Sequence, residues 1–202
     1  MILLLDVMDT LVRDPFHAEV PAFFGLELPA LLAAKDPEAW QRFERGEWDE
    51  ETFAAGYFRD RRPVDKAGFQ AALRAGYRWL PGIEPLLAEL RAAGAPMHVL
   101  SNYPPWYRLI EEELGLSRYL PWSFVSCETG ARKPEPAAYL GAAARLGVAP
   151  ADCLLVDDRQ ANVAGALAVG MPALRFRDAE TLRAELVRRG ALSGPPPRQE
   201  RP

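Results

Sequence analysis

The chain has 202 residues, of which 49% are apolar and 26% charged, and a formal net charge of −4. That length allows one domain, or one domain carrying an insert, with enough apolar material for a real core. The acidic balance gives no reason to expect nucleic acid or an anionic membrane surface as partner, and no apolar run approaches the ~20 residues that a membrane span needs.

The chain opens with "MILLLD", a continuous apolar run that ends at Asp6 and predicts a buried strand. It turns acidic too soon for a signal peptide, so a soluble, cytoplasmic protein is expected. Residues 16–80 hold no convincing strand but several helical pieces, including "PALLAAKDPEAWQRFERG" and "DEETFAAGYFRD". They predict an inserted helical subdomain, leaving 1–15 and 81–190 as the α/β core. "GIEPLLAELRAAG" (82–94) predicts a helix closing on Gly94, and "PMHVLSN" (96–102) a strand ending at Ser101 and Asn102. "PPWYRLIEEELGL" (104–116) opens a helix on prolines, and "WSFVSCE" (122–128) predicts a strand followed by the loop "TGARKPEP". A helix over 134–148, the strand "DCLLVDD" (152–158), a helix over 160–170, the strand "MPALRF" (171–176) and a helix over 178–190 complete the alternation. Alternating strands and helices mean crossover connections, so the expected fold is α/β with a doubly wound, mostly parallel sheet. The proline-rich tail 193–202 is expected to be disordered.

In an open parallel sheet, ligands bind beyond the carboxyl ends of the strands. Asp6, Ser101 with Asn102, and Asp157 with Asp158 all stand at such ends, and Lys133 lies in the loop after another strand. Each has an ordinary reading: a strand-end carboxylate caps the next turn, a serine shapes one, and a lysine sits in solvent. Together they suggest one rim. Three carboxylates there repel one another unless a cation is present, and oxygen ligands of this kind suit Mg²⁺. Ser101 and Asn102 offer donors to anion oxygens, and Lys133 a point positive charge. The set suits phosphoryl transfer through a carboxylate nucleophile. Cys127 and Cys153 lie far apart without metal-ligand spacing and read as reduced. Of the three lysines, Lys35 and Lys66 read as solvated helix residues. The insert's aromatic residues read mainly as its core, some of them lining a cavity over the rim.

Four stretches, "LLLDVMDTLV", "VLSN", "ETGARKPEPAAY" and "LLVDDRQANVAGALAVGM", in this order and spacing, resemble the haloacid dehalogenase-like hydrolase superfamily, from Met1 to about Phe176. The resemblance implies a Rossmann-like core with an all-helical cap, and a Mg²⁺-dependent phosphohydrolase acting on a small phosphorylated metabolite through an aspartyl phosphate. It implies Asp6 as nucleophile and Lys133 as its steadying charge. Ser101, Asn102, Lys133 and Thr10 would serve the phosphoryl end. Asp6, the Met8 carbonyl, Asp158 and Asp157 would hold the metal, with Asn162 bracing their loop. Monomer and homodimer are both left open.

Met8 departs from the family pattern, which has an aspartate there, followed by glycine, to protonate the leaving group. Such acid–base help is worth ~10²–10⁴ in rate. Four explanations stand. Asp9 replaces the acid after a local change of loop path, or the leaving group is good enough to need little acid. Otherwise the chain is a catalytically weak binder of phosphate esters, or it performs another hydrolysis of the superfamily, dehalogenation or phosphonate cleavage.

Overall fold

In the computed structural model, which describes residues 1–194, five strands form one parallel sheet: Ile2–Leu5 (β1), Met97–Ser101 (β2), Phe124–Val125 (β3), Cys153–Asp157 (β4) and Ala173–Arg175 (β5). Their order is β3-β2-β1-β4-β5. Between β1 and β2 run Glu19–Phe24 (α1), Leu28–Ala34 (α2), Ala39–Glu44 (α3), Glu50–Gly56 (α4), Lys66–Gly76 (α5) and Ile83–Ala92 (α6). Tyr107–Leu114 (α7), Ser126–Thr129 (α8), Pro136–Leu146 (α9), Gln160–Ala168 (α10) and Ala179–Arg188 (α11) follow. Caps start several of them: the Asp49, Asp65 and Asp178 carboxylates accept from Thr52, Gly68 and Thr181 N–H groups.

β1 is apolar throughout because helices cover both of its faces. Leu3 and Leu5 pack into one hydrophobic cluster with Leu86 of α6, Ile110 of α7 and Leu186 of α11. Leu4 packs into another with Tyr139 and Ala142 of α9 and Ala166 of α10. This is the period-two alternation of a strand buried on both sides. The chain moves from β1 through β2 to β3, then returns to place β4 against the other side of β1. Helices of the two legs therefore lie on opposite faces, as right-handed crossovers require. The direction reverses between β1 and β4, which opens a crevice beyond their carboxyl ends. Register brings Leu5 opposite Val156, and the Asp6 N–H donates to the Val156 carbonyl (3.0 Å). Asp6 and Asp157 thus emerge side by side.

Two expectations change. The strand expected over 122–128 is only two residues long, because the chain leaves the sheet edge at Ser126 and coils into α8. The Ser126 hydroxyl donates to the Glu44 carbonyl and accepts from the Tyr103 N–H, contacts that an extended ladder would forgo. The helical piece over 29–46 is broken between α2 and α3. Lys35 is extended (φ −72°, ψ 150°), and Pro37 follows two residues later, disfavouring the α conformation at Asp36 between them. The Asp36 N–H donates instead to the Tyr57 carbonyl (2.8 Å). The tail expected to be disordered lies, from residue 195, outside the described residues. No helix of the described residues is long and apolar enough to cross a membrane.

Candidate active site

Asp6 follows β1 and is buried, with 6% of its surface exposed. Lys133, 1% exposed, reaches it from the loop after α8: its Nζ lies 2.8 Å from Asp6 Oδ1 and 2.6 Å from Asp157 Oδ2. Burial alone would lower the Lys133 pKa, but the two carboxylates outweigh it and raise it. Burial pushes Asp6 up to about 7, against the pull of Lys133 and with the help of Asp157 and Asp158. Asp158, half-buried, rises to about 6, again through burial first and then Asp157 and Asp9. Oxygens of Asp6, Asp157 and Asp158 all lie within 4.8 Å of one another. One ammonium against three crowded carboxylates leaves a charge deficit, and the donors are all hard oxygens. The site fits a small divalent cation such as Mg²⁺.

The expected residues divide by how they are used. Asp157 is fully buried and both its oxygens are occupied: Oδ1 by the Arg159 N–H (2.9 Å) and Asn162 Nδ2 (3.0 Å), Oδ2 by Lys133 and Asn162 Nδ2 (3.0 Å). It differs in this from Asp158, whose carboxylate reaches the cavity. Asn102 was expected to meet phosphoryl oxygens, but its amide is spent on residue 133. Oδ1 accepts the Lys133 N–H (2.8 Å) and Nδ2 donates to the Lys133 carbonyl (2.7 Å). A side chain bound at both ends sets the height of the lysine. Thr10, expected at the phosphate, is fully buried, and its hydroxyl accepts the Asp158 N–H (3.1 Å). It ties the β1 loop to the β4 loop. Ser101 ends β2, is 2% exposed, and its hydroxyl has no hydrogen-bond partner among the described residues.

Met8 is half-buried, lines the cavity over the rim and packs against the main core cluster. Asp9 adopts φ +52°, a left-handed conformation that aspartate tolerates better than most residues. That twist sends its carboxylate towards Asp14, whose N–H it accepts (3.0 Å), and His17 lies in the same cluster. His17 therefore has two acidic neighbours.

The cavity has a volume of about 460 Å³. Asp6, Met8, Asp9, Lys133 and Asp158 form its floor residues, and Phe16, Trp40, Tyr57 and Phe69 of the inserted helical segment line it too. Lys35 also differs from expectation: it is half-buried on the cavity wall, where burial lowers its pKa. Asp14, Glu44, Arg132 and Arg159 also line the cavity. Their only sequence signal was proximity to the motifs; Glu44 and Arg132 meet across 88 positions in an ion pair (2.7 Å).

A family model described as haloacid dehalogenase-like hydrolase matches residues 4–170. The chain is 48% identical over 185 residues to flavin mononucleotide hydrolase 1 (chloroplastic) of Arabidopsis thaliana, covering 92% of this chain and 76% of that one. It is 40% identical over 103 residues to hexitol phosphatase A of Escherichia coli, a match over 50% of this chain and 47% of the relative. Among solved structures, a HAD family enzyme of Bacteroides thetaiotaomicron in a magnesium complex superposes with a TM-score of 0.76. It is 18% identical, with 92% of this chain and 97% of that chain covered, a likeness of fold.

Proposed function

The chain belongs to the haloacid dehalogenase-like hydrolase family, and from that premise we propose that it is a Mg²⁺-dependent phosphohydrolase whose substrate is flavin mononucleotide. The observation that carries the chemistry is Lys133 held between Asp6 and Asp157, with Asp158 in the same cluster. The substrate is supported by the similarity to the Arabidopsis hydrolase and by the aromatic lining of the cavity.

In this reading a carboxylate oxygen of Asp6 attacks phosphorus, the ester P–O bond breaks, and the alcohol leaves with a proton. Water then cleaves the aspartyl phosphate and regenerates the carboxylate. Lys133 holds Asp6 in line and offsets the anion that approaches it. The Ser101 hydroxyl, otherwise unpartnered, donates to a phosphoryl oxygen. Asp6, Asp158 and the Met8 carbonyl are the ligands we assign to Mg²⁺, which when bound supplies charge neutralisation at the phosphoryl group. Asp157 acts through Lys133 and the loop braced by Asn162. Met8 has no proton to give. Asp9 takes that role in our assignment, because it lines the same cavity one residue on and its twisted backbone supplies the altered loop path. Residues 16–80 serve as the cap and 1–15 with 81–190 as the core; a cytoplasmic location belongs to the same proposal.

The test is phosphate release from flavin mononucleotide and from p-nitrophenyl phosphate, with Mg²⁺ and after chelation. Release that needs Mg²⁺ and disappears in Asp6→Asn is the expected result. Release unchanged in Asp6→Asn, or none from either ester, overturns the reading.

A further inference from the structure

Tyr57 lines the cavity from the cap and is 2% exposed. Its hydroxyl has no hydrogen-bond partner; among the described residues only Ser101 shares that condition for a buried side-chain oxygen or nitrogen. Unpaired buried hydroxyls are costly and uncommon, and they mark places where a partner is to be supplied. Ser101 stands at the phosphoryl end. Tyr57 stands on the cap side of the same cavity. Its ring is locked: it stacks on Phe24 (centroids 5.3 Å, 20° between planes) and meets Phe53, Phe58 and Phe69 edge-on within 5.3 Å. The hydroxyl therefore cannot swing to another acceptor.

Lys35 reaches this cavity from the neighbouring segment. Backbone bridging pairs Lys35 with Phe58, and the Asp36 N–H binds the Tyr57 carbonyl (2.8 Å). The Lys35 ammonium has no ion-pair partner among the described residues and lies 5.8 Å from the Phe16 ring centre. Lys35, its ammonium over the Phe16 ring, and Tyr57, its buried hydroxyl without a partner, line one cavity together with Trp40 and Phe69.

We propose that Tyr57 and Lys35 form a specificity subsite for the polar edge of a planar heteroaromatic leaving group. The chemistry matches the pyrimidine edge of an isoalloxazine ring: the phenol donates to a ring carbonyl, and the ammonium meets a second acceptor or partial negative charge. Trp40 and Phe69 supply apolar contact to the ring. This rests on the phosphohydrolase reading and names the residues that choose its substrate.

The experiment compares Tyr57→Phe and Lys35→Met with the wild-type chain, in Mg²⁺, on flavin mononucleotide and on p-nitrophenyl phosphate, which lacks that edge. The kcat/KM preference for the flavin ester is expected to fall roughly tenfold or more in each variant, since an unpaired site group discriminates strongly. Tyr57→Phe is also expected to melt no lower than wild type, because it removes an unpaired buried group. An unchanged preference, or a lowered melting point with equal losses on both esters, overturns the subsite. If wild type hydrolyses neither ester, the phosphohydrolase reading fails by itself. Titration of flavin fluorescence with the same proteins then tests the subsite alone: a Kd for flavin mononucleotide weakened roughly tenfold in Tyr57→Phe upholds it. No binding, or an unchanged Kd, overturns it.

Discussion

Met8 sits where a carboxylate would cost the least in sequence and the most in electrostatics. Asp6 and Asp158 already titrate well above ordinary aspartate values, to about 7 and about 6, because burial and mutual repulsion outweigh Lys133. A further carboxylate would deepen that crowding until a cation offset it. Met8→Asp is therefore expected to lower the melting temperature in chelator, to recover it in Mg²⁺, and to raise phosphate release by less than about tenfold, because Asp9 already supplies the acid–base help that is worth ~10²–10⁴ where it is missing. Melting curves with and without Mg²⁺, alongside initial rates, check both halves. A fall in activity means that the methionine belongs to a different arrangement of the loop. The departure at Met8 was readable from the motif alone. Its partner feature, the left-handed Asp9, was not, since its direction depends on the Asp14 N–H that it accepts.

At the scale of elements, α3 is clasped to the core. Glu44 pairs with Arg132, Arg45 with Glu135, and the Ser126 hydroxyl donates to the Glu44 carbonyl. Trp106, at the start of α7, enters the insert's aromatic cluster between Phe43, Phe53 and Phe69, with ring centres 5.1 to 5.4 Å away. Gly46 closes the clasp. It adopts φ +74°, and a Cβ there would stand 2.5 Å from the Cys127 carbonyl oxygen. Gly46→Ala combines backbone strain with a clash against an immovable group, and is expected to destabilise by about 1–3 kcal/mol. Urea unfolding measures it, and the KM for a phosphate ester should rise as α3 is pushed off the loop that carries Lys133. The helical character of residues 16–80 was legible from apolar spacing. The break at Lys35 was signalled only by Pro37, and it is this break that turns Lys35 from a helix surface to the cavity wall.

For the whole molecule, a half-buried histidine adds acid sensitivity outside the site. His98 of β2 is half-buried, with Nδ1 2.7 Å from Ser123 Oγ, and burial lowers its pKa below the ordinary 6.5. Between the folded value and 6.5 the unfolded chain binds more protons, so stability rises with pH there. This contribution is complete above 6.5 and is lost as pH falls through the folded pKa. His98→Gln should lose less stability than wild type on acidification below pH 6.5, as melting temperatures across that range will show. The sequence by itself determined the order of strands and helices and the identity of the rim residues, because a buried parallel strand must be continuously apolar and stop where its chemistry begins. Asp6, Lys133, Asp157 and Asp158 meet as that order demands. Only the tertiary structure decided how each is spent: Asn102 on the lysine backbone, Thr10 on Asp158, and Tyr57 and Lys35 on the cavity. Those assignments depend on partners tens of residues away, and local periodicity holds no information about which distant group a side chain will meet.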